Sequence, residues 1–207
     1  MSGNKIISID INQQIKKRLI DTVGPLLARV GFHRFNVDLV VEASGLNRVN
    51  IFHFFGGLPG LVAAFGASGD FWPLTDELLQ ETREDFIRLS PEQQMAAFFK
   101  SLLICLRRRP LTLDILAWET LERNELSKQL EDIRVRTALE YFENLHGEIP
   151  EHIDLSAIVA LLAGAVFFLS VHSRNTRTFG GIDLQSDAGW RRIDQAIEIL
   201  MRGSLSQ

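Results

Sequence analysis

Asn36 and Asn47 are the side chains whose spacing says most about local chemistry. Each stands just before a short apolar run, and each has a side-chain oxygen that can accept from the free N–H groups of a helix start. Between them Val37, Val40 and Val41 fall on one helical face, and Ser44-Gly45 ends that helix, glycine being free to turn left-handed. Val49, Ile51, Phe52, Phe54 and Phe55 supply the apolar positions of a second helix. Helix, glycine turn, helix over residues 35–55 is the outline of a helix-turn-helix DNA reader.

Other reactive side chains point to little chemistry. Cys105 is the single cysteine; it reads as a small buried apolar group, and it excludes an intramolecular disulfide and suits a reducing cytoplasm. His146 and His152, with Glu148 and Glu151, flank one loop, a spacing that polar surface explains better than metal ligation. His172 either complements a helix C-terminus or faces a cavity. There is no G-x-S-x-G, no P-loop, no G-x-G-x-x-G after a strand and no carboxylate pair in an apolar setting. No catalytic residue, metal or cofactor is therefore expected, and the chain does not read as an enzyme.

The elements that must position the 35–55 unit are helical throughout. The spacing of Ile15, Leu19, Val23, Leu26, Leu27 and Val30 predicts a helix that Gly31 ends, with a kink or break at Gly24-Pro25. A turn, G-G-L-P-G-L, leads into a connecting helix that breaks near residues 68–73, and a further helical piece runs from Leu74 to about Arg88. Ser90-Pro91-Glu92-Gln93 is a capped helix start, and Arg107, Arg108 and Arg109 close that helix, where cations complement its dipole. Leu111–Glu122, Leu126–Leu145, a nearly apolar helix at 155–172 capped by Asp154, and Asp187–Arg202 complete nine or ten helices. The 155–172 segment is short of the ~20 residues of a membrane span and reads as a helix buried on several sides. No stretch alternates with a period of two, so no strand is predicted.

Charge is divided along the chain. Residues 1–60 carry seven Lys/Arg against four acids, while the whole chain of 207 residues has a net charge of −4. A basic head on an acidic body suits one end that meets phosphates.

The segment from about Ile15 to Val62 resembles the TetR-type bacterial transcriptional repressors. The resemblance rests on Gly31-Phe32, Glu42-Ala43-Ser44-Gly45, the Ile51–Phe55 run and the turn G-G-L-P-G-L-V that follows it. It implies an all-α protein: an N-terminal three-helix DNA-binding head with a helix-turn-helix at 1–57, and a larger helical ligand-binding and dimerisation body at 58–207. By position, Asn36 would cap the second helix and touch a phosphate. Asn47, Arg48 and Asn50 would open the reading helix towards the major groove, where Arg can fork onto guanine and Asn onto adenine. Phe52 and His53 fall where the family places a phosphate-contacting tyrosine and its neighbour. Phe52 lacks the hydroxyl of a tyrosine, Leu58 stands where a lysine is usual, and Pro59-Gly60 replaces an acidic pair.

The same resemblance implies a cytoplasmic homodimer that binds double-stranded DNA at a palindromic operator and is released by a small apolar or aromatic effector, with no membrane partner. The candidate interface is Ile158, Leu161, Leu162, Ala165, Leu169, Trp190, Ile193 and Ile197. The candidate ligand lining is Phe98, Phe99, Leu102, Trp118, Ile133, Thr137, Tyr141, Phe168 and His172. The alternative is a regulator that keeps the helix-turn-helix shape but acts through a protein partner.

Overall fold

The computed structural model describes residues 3–79, 83–147 and 153–205, and among these it contains eleven helices and one short hairpin. They group into two compact units.

The first unit is Met1–Trp72 with Asp114–Val135. Its helices are α1 (Gly3–Arg34), α2 (Val37–Ser44), α3 (Arg48–Phe55) and α4 (Leu58–Gly66). Helix α1 packs on α2 and α4, and α3 packs on α4. Leu19, Val23 and Leu27 of α1 meet this core at zero exposure, as do Val40, Ile51, Leu61 and Val62. The three- and four-residue spacing read from the sequence is therefore the buried stripe of α1.

The break in α1 is at Gly31, not at Gly24-Pro25. Gly31 has φ 75° and ψ −179°, whereas Pro25 sits inside the helix. Pro25 lies on the exposed side and Gly24 on the buried side, so the proline ring stands in solvent. Glycine is also required at position 60. A Cβ there would lie 1.9 Å from the Phe55 carbonyl oxygen, so Gly60 is a packing requirement of the α3–α4 crossing.

Two further helices contribute residues to both units: α8 (Pro110–Glu119) and α9 (Glu125–Phe142). In the first unit Arg134 of α9 meets Glu119 of α8 at 2.7 Å, both side chains being largely buried. The Arg134 guanidinium also lies 5.8 Å from the Trp72 ring.

The second unit is Pro73–Leu113 with Arg136–Gln207. It contains α5 (Thr75–Leu78), α6 (Arg83–Ile87), α7 (Pro91–Arg107), α10 (Leu155–His172) and α11 (Asp187–Leu205). The single piece expected from Leu74 to Arg88 is thus two short helices, with residues 80–82 outside the described residues. Helix α7 is central, and α11, α10 and α5 pack on it. Its start is a complete capping box between Ser90 and Gln93, as the sequence predicts. A hairpin, β1 (Thr178–Phe179) with β2 (Ile182–Asp183), replaces the loop expected there. Its turn holds Gly180 and Gly181 at φ 55° and 75°, the positive values a two-residue hairpin turn demands. Two residues per strand are too few for alternation to register in a sequence.

Candidate nucleic-acid interface

Helix α3 has one fully buried side chain, with Phe54 and Phe55 half-buried beside it. Ile51 is fully buried, while Asn47, Arg48, Val49, Phe52 and His53 are exposed and Asn50 is half-buried. The caps that hold this unit are those expected. Asn36 Oδ1 accepts from Leu39 N at 3.0 Å, and Asn47 Oδ1 accepts from Val49 N at 3.0 Å. Gly45 takes the left-handed conformation expected at the end of α2, and Gly56, not singled out in the sequence, does the same at the end of α3. Such a cap contributes about 1 kcal/mol, so both helix starts are defined by side chains within the unit.

The structure therefore brings five of the six sequence-predicted contact residues to one surface around α3 (Asn47, Arg48, Asn50, Phe52 and His53), with Asn36 at the start of α2. It adds a partner that sequence reading missed. Arg48 Nη2 donates to Asp38 Oδ1, joining α3 to α2. Both side chains are more than half exposed, so the pair contributes little stability and can exchange for another partner at small cost. The Arg18 guanidinium lies beside Gly45, 3.3 Å from where a Cβ would stand. Lys16 lies 5.3 Å over the Phe54 ring. Basic side chains thus border the helix-turn-helix.

The break that precedes this unit is held by the turn after α8. Breaking a helix leaves N–H and C=O groups without partners, and here each side of the break is answered. Glu122 Oε2 accepts from Phe32 N at 2.6 Å and His33 N at 3.0 Å. The Trp118 indole N–H donates to the Ala28 carbonyl at 3.0 Å, and Asn124 Nδ2 donates to the Phe32 carbonyl. Trp118, expected as a ligand contact, therefore has a structural hydrogen bond in the first unit. Glu122 and Asn124 lie some ninety residues from their partners and carry no local signal in the sequence.

The other expected ligand contacts separate into three places. Phe98, Phe99, Leu102, Thr137 and Tyr141 are buried in the second unit. Phe98 and Tyr141 rings stand 4.7 Å apart, and the Tyr141 hydroxyl donates to the Gln94 carbonyl at 2.9 Å. Ile133 belongs to the first unit, against Gly66. Phe168 and His172 are elsewhere again. They stack on each other at 4.8 Å and meet Phe179 of the hairpin, and Phe168 is 48% exposed. His172 thus forms a surface aromatic trio instead of facing the Phe98–Tyr141 cluster. Glu148, Glu151 and His152 lie outside the described residues. Among the described residues no group of three His, Cys, Asp or Glu is placed to hold a metal.

Cys105 is buried, as expected, and donates to Glu77 Oε1 at 3.4 Å. Burial first, and the Glu77 carboxylate second, push its thiol up to about 11. Arg109 donates to Glu77 at 2.6 Å and holds that carboxyl below its ordinary value. The thiol is therefore no nucleophile at neutral pH.

Helix α10 departs from the expectation of burial on several sides. Of its residues, Val166 and Ser170 are buried in the single chain. By length and composition it is long and apolar enough to cross a membrane. Leu161 is 75% exposed, and Ala157, Ala160, Gly164, Ala165 and Phe168 continue the same exposed stripe. Of the expected interface residues, Leu161 and Ala165 are open, and Ile158, Leu162, Leu169 and Ile193 are half-buried. Trp190 and Ile197 are buried within the chain, and the Trp190 indole N–H donates to the Leu184 carbonyl. They have no surface left for a partner to cover. Ile199 and Leu200 of α11 are the open apolar residues there.

No protein-family profile matches the sequence, and no curated protein matches it. Solved structures match its fold along nearly the whole chain. The fatty acid degradation regulator FadR from Bacillus halodurans aligns with a TM-score of 0.60 at 13% identity, covering 93% of this chain and 97% of its own. A TetR family transcription regulator from Marinobacter aquaeolei aligns with a TM-score of 0.60 at 10% identity, covering 95% and 97%. A TetR transcriptional regulator from a Rhodococcus species aligns with a TM-score of 0.56 at 16% identity, covering 96% and 100%. The chain has the all-α fold of the TetR-type regulators.

Proposed function

We propose that the chain is a ligand-responsive transcriptional repressor whose two copies place their α3 helices in successive major grooves of a palindromic operator. The observation that carries this is the presentation of α3. It is a capped helix with Ile51 fully buried, and with Asn47, Arg48 and His53 turned out on a basic head. Arg48 is the base reader, exchanging Asp38 for a guanine edge. Asn36 sits at the N-terminus of α2, where backbone N–H groups favour a phosphate. Functionally the division falls at 57/58, with residues 1–57 as the reading head and 58–207 as the ligand and dimer body.

The α10 stripe supports the dimer. An apolar stripe on a helix of a water-exposed chain favours being covered, and the small residues Ala160, Gly164 and Ala165 let a second helix approach closely. A second copy covering α10, and Ile199 and Leu200 of α11, makes the protein a cytoplasmic homodimer without any membrane partner. The effector is apolar or aromatic and enters beside Phe98, Phe99 and Tyr141. It acts by favouring a body conformation that binds DNA poorly. A saturated fatty acid is the first probe, since FadR, which shares the fold, regulates fatty acid degradation.

The test is selection of bound fragments from a genomic library at low salt. A palindrome enriched by the wild type and lost with Arg48→Ala supports the reading. Absence of any enriched sequence contradicts it and favours action through a protein partner.

A further inference from the structure

We propose that Val49 and Phe52 read thymine methyl groups, so that each operator half-site presents thymines in the major groove opposite the middle of α3. The inference rests on the DNA-binding reading above and adds the base chemistry that α3 selects.

The starting observation is that the middle of the reading helix is apolar where it should meet water. Val49 is 66% exposed and Phe52 is 52% exposed. Three residues apart on a helix, they share one face. Their neighbour Ile51 has already supplied the anchor to the core at zero exposure, so packing of the head does not explain them. Val49 is also stiff. It is β-branched and restricted at χ1, and therefore has little side-chain freedom to lose on binding. The Phe52 ring lies by the turn, where a Cβ on Gly57 would come within 3.7 Å of it.

Charge identifies the occupant. The two apolar side chains lie beside Arg48, and the first 60 residues carry a net positive charge. A duplex surrounds its groove with phosphates. Within the major groove its one apolar feature is the 5-methyl group of thymine, which apolar side chains including phenylalanine contact. The polar reader Arg48 is tied to Asp38 and must exchange partners before it reads a base. Val49 and Phe52 meet the groove without such an exchange, so methyl contacts select the site alongside Arg48.

The experiment replaces thymine by deoxyuridine, which removes the methyl and keeps the base pair. A duplex operator is first selected with the wild-type protein, and each thymine of the half-site is then exchanged in turn. Loss of a buried methyl corresponds to about a fourfold change in affinity. The expected result is a loss of that size at one or two thymines per half-site. In Val49→Ala, or in a separate Phe52→Ala variant, the loss at the matching thymine disappears. Circular dichroism checks that each variant keeps its helices, and Phe52→Tyr, which keeps the ring, retains the methyl dependence. An operator whose half-sites contain no thymine, or one indifferent to uridine throughout, overturns the inference while DNA reading stands. If no duplex is selected at all, DNA reading itself fails and the inference falls with it.

Discussion

The Glu122 carboxylate accepts the Phe32 backbone N–H at 2.6 Å and that of His33 at 3.0 Å. It thereby closes the gap that Gly31 opens in α1, just before the helix-turn-helix begins. A part-buried N–H left without an acceptor costs about 1–3 kcal/mol. Glu122→Ala is expected to destabilise by that order and to speed exchange of the Phe32 and His33 amides. Glu122→Gln keeps an acceptor oxygen and is expected to retain most of the protection. Amide hydrogen exchange checks this, and unchanged protection in the alanine variant contradicts it.

Gly31 is fixed by the same arrangement. Its φ of 75° is costly for any other residue, and a Cβ there would meet Glu122 Oε2 at 2.7 Å and the Trp118 ring at 2.9 Å. Gly31→Ala is expected to cost at least about 1–3 kcal/mol, measured by urea unfolding. Gly180→Ala also has a positive φ but open space around it, so it is expected to cost less.

Glu119 and Arg134 form a largely buried ion pair at 2.7 Å. Burial pushes the Glu119 carboxyl up while the Arg134 guanidinium opposes that. Arg134→Met leaves a buried carboxylate without its counter-charge and is expected to cost about 3–5 kcal/mol, whereas the double variant Glu119→Leu/Arg134→Met is expected to recover most of it. A double-mutant cycle on unfolding free energy gives the answer, and additive effects contradict the pairing.

Cys105 provides a pH signature. Its thiol is pushed from an ordinary value of about 9 up to about 11. The folded chain therefore keeps a proton that the unfolded chain releases, and stability is expected to fall as pH rises from about 9 towards about 11. Cys105→Ser is expected to flatten that part of the profile. At pH 8 a thiol reagent is expected to label the native protein far more slowly than the unfolded one.

Much of the head was legible from the sequence because its signals are local. Asn36, Gly45 and Asn47 act within three or four residues of themselves, and the α7 capping box does the same. The contacts that lie far apart in the chain were not legible. Asp38 on Arg48, Glu122 on Phe32 and Trp118 on Ala28 depend on how helices meet. The body was misread for a related reason. A helix apolar all round does not say which face is inside, so Phe168 and His172 of α10 could not be placed on the hairpin Phe179. The broad apolar face of α11 gave no means of telling the buried Trp190 and Ile197 from the open Ile199 and Leu200.

The proposed dimer and its reading helices are tested together by DNA phasing. The palindrome selected by the wild type has half-site centres about one helical turn, ~34 Å, apart. Inserting five base pairs between them turns one half-site to the opposite face of the duplex. Fluorescence anisotropy is expected to show loss of high-affinity binding, while the unaltered palindrome binds one dimer. Leu161→Lys on the α10 stripe is expected to give a monomer by sedimentation that binds both duplexes equally weakly. Undiminished binding by the wild type to the five-base-pair insertion would contradict two linked α3 helices reading one operator.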